Sequence, residues 1–546
     1  MNFSSLRGAI FDKSFYFYGA LLCYIFAFSY SLYSWQPLLN ANWSIIDDHE
    51  IISIIGSRER LPVSEIPAAL SNTEVGKAGH TSRFRPSYYT LRLVEAASWG
   101  GNPKLWYATR ISIAVLFAMI LTAVCLRFGA PFLTFCFLIY ELSRSYWADI
   151  FARLGPAETY AVFGVCLITI GVIAGEKKRW GLLASICTAV GIVIAAGSKE
   201  NFVILGALPI WLIFFRREHL PLANKFFFIS VLAYIAWIVE SVLRGLHNAG
   251  TGTDIYSNPT SIGSRMFVLS SFFKQPDVLV WLLVSALLFF YVYRLRLKGD
   301  IKSSESQRIY RYSIFFFLLL IVYASQFVFY FGEFSPPRYQ FPGIFCRHIS
   351  IFLFIAIVDV VMHQNSIRFS RIHIASIFGG LCLLTATCAS FYQWHGTFTF
   401  DNIRKNRITS QQKASDSNLF FGKLKDAVAY LKAHPTIPVI LNSHKIDDYE
   451  PIYSLNQYLK SFGLTNPISL NIDGYSPANF SADSDKLNFL LSKRLESVEL
   501  FGQGGSFIPI SSLKNNVECY SLGLNGPPLS KCKNGITILN SGNKYE

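Results

Sequence analysis

The chain has 546 residues, of which 52% are hydrophobic, 16% aromatic and only 15% charged, with a mean hydropathy of +0.35. A water-soluble protein of this length needs more charge to cover its surface, so the composition points to an integral membrane protein. The formal net charge of +15 sits in clusters beside apolar runs rather than in one patch, which speaks against a nucleic-acid surface.

A helix needs roughly 20 apolar residues to cross a bilayer, and each charge at its centre costs about 2.5–3.5 kcal/mol. Runs that avoid this cost predict about eleven spans, near 15–36, 105–126, 131–147, 157–175, 181–197, 201–215, 226–243, 278–293, 313–331, 343–362 and 372–391. The first follows Arg7 and Lys13 without a small-residue cleavage site and reads as a retained helix. Lys177, Lys178, Arg179, Arg216, Arg217, Lys225, Arg294, Arg296, Arg368 and Arg371 fall in connectors on one side, which the positive-inside rule makes cytoplasmic. The remaining connectors then face outward: the first outer loop (37–104), the turns at 141–156 and 197–201, the 244–277 loop and "GEFSPPRYQFPG" at 332–343.

The outward segments carry the unusual residues. "SIIDDHEIISII" (44–55) sets Asp47, Asp48, His49 and Glu50 among isoleucines. Asp47 followed by Glu50 resembles a helix N-cap with its capping-box partner, which leaves Asp48 and His49 unexplained. "RFRPSYY" (83–89) places Arg85 ahead of a proline-started helix, a favourable anion site, with Tyr88 beside it. "RLGPAETYA" (153–161) brings Arg153 and Glu158 to a span entrance, "GSKENF" (197–202) adds Lys199 and Glu200, and the 332–343 segment adds Glu333, Arg338, Tyr339 and Gln340. Charges this close to hydrocarbon are costly and count as candidate functional residues.

Carboxylates from the first loop facing cations from later ones suit one reaction. Moving a sugar from a lipid phosphate needs a carboxylate to take the acceptor's proton and cations to stabilise charge on the departing phosphate. Arg85, Lys199 and Arg338 are the expected phosphate ligands, and Glu50, Tyr88, Glu158, Glu200 and Tyr339 the expected substrate-binding residues. A glycoside hydrolase would want a second carboxyl as an acid for its leaving group, which phosphate does not need.

The polar tail (392–546) is expected on the same outer side. Helical "LKDAVAYLKAH" (424–434) and "YEPIYSLNQYLKSFG" (449–463) alternate with strand-like "IPVILNS" (437–443) and "ISLNI" (468–472), which predicts a small α/β domain. Eight of the ten cysteines lie in or beside spans, and the remaining two, Cys519 and Cys532, are expected to form a disulfide in an oxidising outer compartment. No CxxC, HExxH, zinc spacing, GxGxxG or P-loop pattern occurs, which argues against nucleotide-cofactor chemistry.

The order of "DDHE" after the first span, "RFRPSYY", "GPAE", "GSKE" and "PPRYQFP" resembles, over about residues 15–391, the GT-C superfamily of polytopic glycosyltransferases. Within it, the layout is similar to bacterial inner-membrane enzymes that decorate O-antigen or other surface glycans, nearest to the serotype-converting glucosyltransferases. The resemblance implies a mainly α, polytopic transmembrane fold (1–391) with an extracytoplasmic α/β domain (392–546). It implies inverting hexosyl transfer, of glucose in the nearest group, from a polyprenyl-phosphate donor to a glycan or glycolipid acceptor at the periplasmic face. A first-loop aspartate acts as base in this superfamily, which carries over to Asp47 or Asp48, with Asp48 preferred because Asp47 has the capping role. No cofactor is required; some members hold a divalent metal in an acidic loop, and no residue here demands one. The rival classes are a transporter or flippase of lipid-linked sugars, which tends to show internal repeats, and an O-antigen ligase or polymerase, expected to carry a large late outer loop.

Overall fold

The computed structural model describes residues 3–81, 83–175, 181–215, 220–248, 276–297, 304–329, 337–364, 400–435, 439–443, 449–466, 468–472, 520–521 and 530–531. From α1 (Phe3–Trp35) the chain enters the first outer loop, which folds into the short helices α2 (Asp48–Ile55), α3 (Ile66–Ser71) and α4 (Pro86–Trp99). There follow α5 (Pro103–Phe128), α6 (Pro131–Leu142), α7 (Tyr146–Phe151), α8 (Glu158–Gly175), α9 (Leu182–Ser198), α10 (Ala207–Phe215) and α11 (Leu222–Asn248). After these come α12 (Pro276–Leu297), α13 (Ser304–Phe329) and α14 (Gly343–Gln364). Prolines open α4, α5 and α6, where a missing N–H leaves no bond unmade.

Among the described residues, six helices are long and apolar enough to cross a membrane: one runs from Tyr16 in α1 through the 3-10 turn that follows it to Asn40, and the others lie within α5, α8, α11, α13 and α14. The sequence-based expectation was about eleven spans; four of the other five fall on shorter apolar helices (Pro131–Leu142, Leu182–Ser198, Glu200–Phe214 and Leu282–Leu295), and in two of these the shortening has a local cause. The run at 131–147 breaks: α6 has 12 residues, about 18 Å of helix, against a hydrocarbon core of roughly 30 Å. Its end is fixed by polar contacts. Glu141 is fully buried, bonds Tyr146 Oη and lies 2.6 Å from His348 Nδ1, and Asn406 Nδ2 donates to the Leu142 and Arg144 carbonyls. The run at 201–215 opens as a 3-10 turn (Glu200–Gly206) before α10. The expected span at 372–391 lies outside the described residues.

α5 is central to the packing. Trp106 and Tyr107 are fully buried, and Phe117 stands 4.6 Å from the Trp147 ring of α7. α8 and α9 form a tight pair: a Cβ on Gly164 would stand 2.5 Å from the Gly191 carbonyl oxygen, and the converse holds. Small residues allow such approach where lipid supplies no hydrophobic drive between helices.

The tail contains α15 (Phe400–Ala433) and α16 (Tyr449–Ser461) with strands β1 (Val439–Ser443), β2 (Ile468–Ile472), β3 (Tyr520–Ser521) and β4 (Ser530–Lys531). Strand order is β2-β1-β3-β4, with β1 parallel to both neighbours and β4 antiparallel to β3. α15 lies along the start of the chain: Tyr30 Oη donates to the Ile403 carbonyl at 3.0 Å, and Arg407 Nη1 to the Tyr33 carbonyl at 2.7 Å. Ala414, Leu424, Leu431 and Tyr458 belong to the same buried apolar cluster as Trp43, Ile51 and Trp106. The composition changes near 391, but the core runs through that boundary. Cys519 and Cys532, the expected disulfide, lie outside the described residues.

Candidate active site

Among the described non-glycine residues, Asp47 alone has a positive φ, 72° with ψ −40°. Such a conformation costs about 1–3 kcal/mol and persists where the surroundings over-determine it. Arg92 of α4 supplies much of that constraint. Its guanidinium is wholly buried; Nη2 donates to the Asp47 carbonyl at 2.7 Å, and Nη1 donates to the Leu154 carbonyl at 3.1 Å and Tyr88 Oη at 2.6 Å. Tyr88 Oη in turn donates to the Gly155 carbonyl at 2.9 Å. Two loops more than 100 residues apart are thus tied through one helix.

This arrangement corrects the capping-box expectation. Asp47 occupies the N-cap position of α2, yet its side chain makes no cap hydrogen bond, because the positive φ turns it away. Its Oδ2 instead accepts from Arg153 Nη2 at 2.6 Å, with both side chains about a quarter exposed (25% and 28%). Gly155 makes the approach feasible: a Cβ there would stand 2.2 Å from Asp47 Cγ. Burial pulls the Asp47 carboxyl upward, but Arg153, Arg338 and Arg92 outweigh it and hold it below its ordinary value.

More charges gather at the same point. Glu158, the first residue of α8, bonds Lys199, which follows the last residue of α9. Lys199 Nζ lies 4.8 Å from the Tyr339 ring centroid, and the Arg338 guanidinium lies 4.7 Å from that same centroid. Arg338 Nη2 donates to Tyr339 Oη at 2.8 Å, and its charge acts on both Asp47 and Glu158. Asp149 of α7 faces Arg338, Arg153 and Glu158; burial outweighs the two cations and leaves its carboxyl above the ordinary value. The result is an ionised, partly exposed carboxylate beside three cations and an aromatic platform.

The other expected site residues lie elsewhere. Asp48 is 1% exposed, and its Oδ2 accepts the Ser44 N–H at 2.7 Å. Arg85 is engaged by Glu74 at 2.6 and 3.1 Å and lies 3.9 Å from Glu200, with its guanidinium 5.1 Å from the Tyr88 ring centroid. Glu200 Oε1 also accepts the Phe84 N–H at 3.2 Å, so this pair holds the start of α4. Glu50 lies 3.6 Å from Arg92, and Tyr88 belongs to the clamp. Glu333 lies outside the described residues.

Two members of the cluster escaped the sequence reading. Asp149 sits in the 141–156 turn, just past the expected span at 131–147, where only the neighbouring Arg153 and Glu158 were singled out. Arg92 carried a signal, since Tyr88 and Arg92 share a helix face at i, i+4, but the carbonyls it grips are visible only in the fold. Among the described residues, no three His, Cys, Asp or Glu side chains gather closely enough to hold a metal ion. No family model matches the chain, and no curated protein or solved structure matches it.

Proposed function

We propose that this chain is a membrane glycosyltransferase of GT-C type, moving a hexosyl group from a polyprenyl-phosphate donor to a glycan or glycolipid acceptor such as lipid-linked O-antigen. The observation that carries this reading is Asp47: a partly exposed carboxylate on a strained turn, bonded to Arg153, with Arg338, Tyr339 and Lys199 grouped beside it. Asp47 is the base in this reading and Asp48 is not, because a side chain 1% exposed cannot meet an acceptor hydroxyl.

The reaction then follows from the geometry. Asp47 takes the proton as the acceptor oxygen attacks the anomeric carbon. The bond to phosphate oxygen breaks with inversion, and the electron pair leaves on polyprenyl phosphate. Arg338 and Lys199 stabilise that growing charge, and Arg153 keeps Asp47 ionised and aimed. Tyr339 offers a face on which a sugar ring can stack. No cofactor is needed for these steps. Arg85, spent on Glu74 and Glu200, serves the fold in this reading.

Apolar helices keep the donor's polyprenyl tail in the bilayer while its headgroup reaches the cluster. The positive-inside pattern supports a bacterial inner-membrane protein of about eleven spans with this cluster and the tail on the periplasmic side. The parallel β1–β2 pairing supports reading the tail as an α/β domain. The test is the full-length chain in proteoliposomes with a panel of radiolabelled polyprenyl-phosphate hexoses and glycolipid extracted from the parent cells. Label should enter the glycolipid with wild-type protein and fall at least 1,000-fold with Asp47→Asn, on the scale of a lost catalytic group. Label crossing the bilayer without a new glycosidic bond indicates a flippase, and transfer only from diphosphate-linked glycan a ligase; either overturns the reading.

A further inference from the structure

Asp47 is gripped from the front by Arg92 and Arg153, and the structure shows a second grip from behind. Tyr458 Oη of α16 donates to the Ser44 carbonyl at 2.7 Å, while Asp48 Oδ2 accepts the N–H of that same residue, also at 2.7 Å. Both backbone polar groups of Ser44, three residues ahead of Asp47, are therefore fixed. Next to them His49 Nδ1 lies 2.6 Å from Ser454 Oγ, so α16 holds both α2 and the turn ahead of it. α15 continues the grip: Ser417 Oγ accepts the Asn42 N–H at 3.1 Å, and Asn418 Nδ2 donates to the Asn40 carbonyl at 2.8 Å. Of the cations acting on Asp48, Lys413 of α15 has the largest electrostatic effect. Ser44, Asp48, His49, Ser454 and Tyr458 are all buried.

We infer that α15 and α16 act as a positioning element for catalysis, with Tyr458, Asp48 and Lys413 holding the Ser44–Asp47 turn so that the Asp47 carboxylate stays aimed at the acceptor. This rests on the reading of Asp47 as the base. It gives the post-membrane segment a part in the chemical step that acceptor binding alone does not require. A backbone held in an unfavourable conformation relaxes when its supports are withdrawn, and a misplacement of about 1 Å costs on the order of 100-fold in rate.

The grip also carries a charge that proton uptake removes. The groups facing Asp48 are Lys413 from α15, Tyr458 from α16, Tyr107 from α5, Arg92 from α4 and its own neighbours Asp47 and His49. Burial pushes the Asp48 carboxyl up to about 6, against the pull of Lys413 and the Ser44 N–H. Below that pH Asp48 takes up a proton, Lys413 loses its counter-charge and the Ser44 bond weakens. Asp47, held below its ordinary value, stays ionised across the same range. Transfer should therefore fall as pH drops through about 6 for want of Asp48 and not for want of the base.

The test compares Tyr458→Phe, Asp48→Asn and Asp47→Asn in the full-length chain, using the hexose donor that the panel identifies. Tyr458→Phe should lower kcat 10- to 100-fold with donor KM unchanged. Asp48→Asn should also lower kcat and should move the acid limb from near pH 6 to well below 5. The double variant should lose less than the product of the single losses, because both act through Ser44. Hydrogen exchange of the 44–48 peptide should rise about tenfold in both single variants, a readout independent of the sugar. Unchanged kcat, acid limb and exchange in Tyr458→Phe and Asp48→Asn, with Asp47→Asn inactive, overturn the positioning role and leave the transferase reading standing. Full transfer by Asp47→Asn overturns the reading beneath it.

Discussion

Replacing Arg92 by Met tests the clamp on the Asp47 turn. Met approximates the length of the arginine stem, so little cavity opens, and the change is confined to the guanidinium. That group is completely buried and donates to two backbone carbonyls, Asp47 O at 2.7 Å and Leu154 O at 3.1 Å, and to Tyr88 Oη at 2.6 Å. Tyr88 keeps its own bond to the Gly155 carbonyl, so the main losses are the charged donor to the Leu154 carbonyl and the shorter of two bonds to the Asp47 carbonyl, which keeps only the Glu50 N–H at 3.3 Å, each worth about 1–3 kcal/mol. The sum is about 4 kcal/mol, comparable with breaking a buried ion pair. SDS-induced unfolding of the protein in mixed micelles reads this directly. Arg92→Lys retains the charge but replaces a planar fork with a single ammonium, and should recover less than half the loss. The turn also loses the bond that holds Asp47 at φ 72°, so transfer should drop at least 100-fold in the folded fraction. An Arg92→Met protein within 1 kcal/mol of wild type and fully active would refute the clamp.

Gly155→Ala should cut transfer 10- to 100-fold, read as kcat in proteoliposomes, with only a small fall in thermal midpoint, because the new Cβ meets the Asp47 carboxyl first. Glu95→Ala should cost about 4 kcal/mol in the same unfolding assay, since Arg110 is fully buried and donates to both Glu95 carboxylate oxygens at 2.9 and 2.8 Å. Tyr160→Phe, which removes one bond to that carboxylate, should cost about 1 kcal/mol. Lys199→Met leaves Glu158, 4% exposed, without its cation; adding Glu158→Gln should restore most of the lost stability, measured by thermal unfolding, while transfer stays impaired. Recovery of transfer in that double variant would make Lys199 purely structural.

Local signals were readable along the chain, and relations between distant segments were not. Apolar length marked α5, α8, α11 and α14 because hydrocarbon penalises charge residue by residue. Short strand-like segments, a buried apolar one and a second at 468–472, marked β1 and β2 for the same local reason. The break after α6 was hidden, since a glutamate bonded to a histidine 207 residues away costs far less than the unpaired charge that a hydropathy reading assumes. Asp47 and Asp48 look alike in sequence, and a single positive φ sends them to opposite sides, one toward Arg153 and the other toward Lys413. The capping reading rested on the extended backbone usual at an N-cap, which Asp47 does not adopt. Arg338, Tyr339 and Lys199 were found as costly charges and aromatics near span ends; their convergence on one ring depends on how α9 and α14 are placed.

The bonds from α16 to Ser44 and His49 span 414 and 405 residues, which sets an order of events during synthesis. The acidic turn is made that many residues ahead of its rear support. At about 5–20 residues per second, the interval is on the order of 20–80 s. For most of that time the turn has its front clamp from Arg92 and Arg153 but lacks the rear bonds from α16, so on the positioning reading its carboxylate is only half held. The rear support of the turn is therefore in place only after residue 458 has been added and packed.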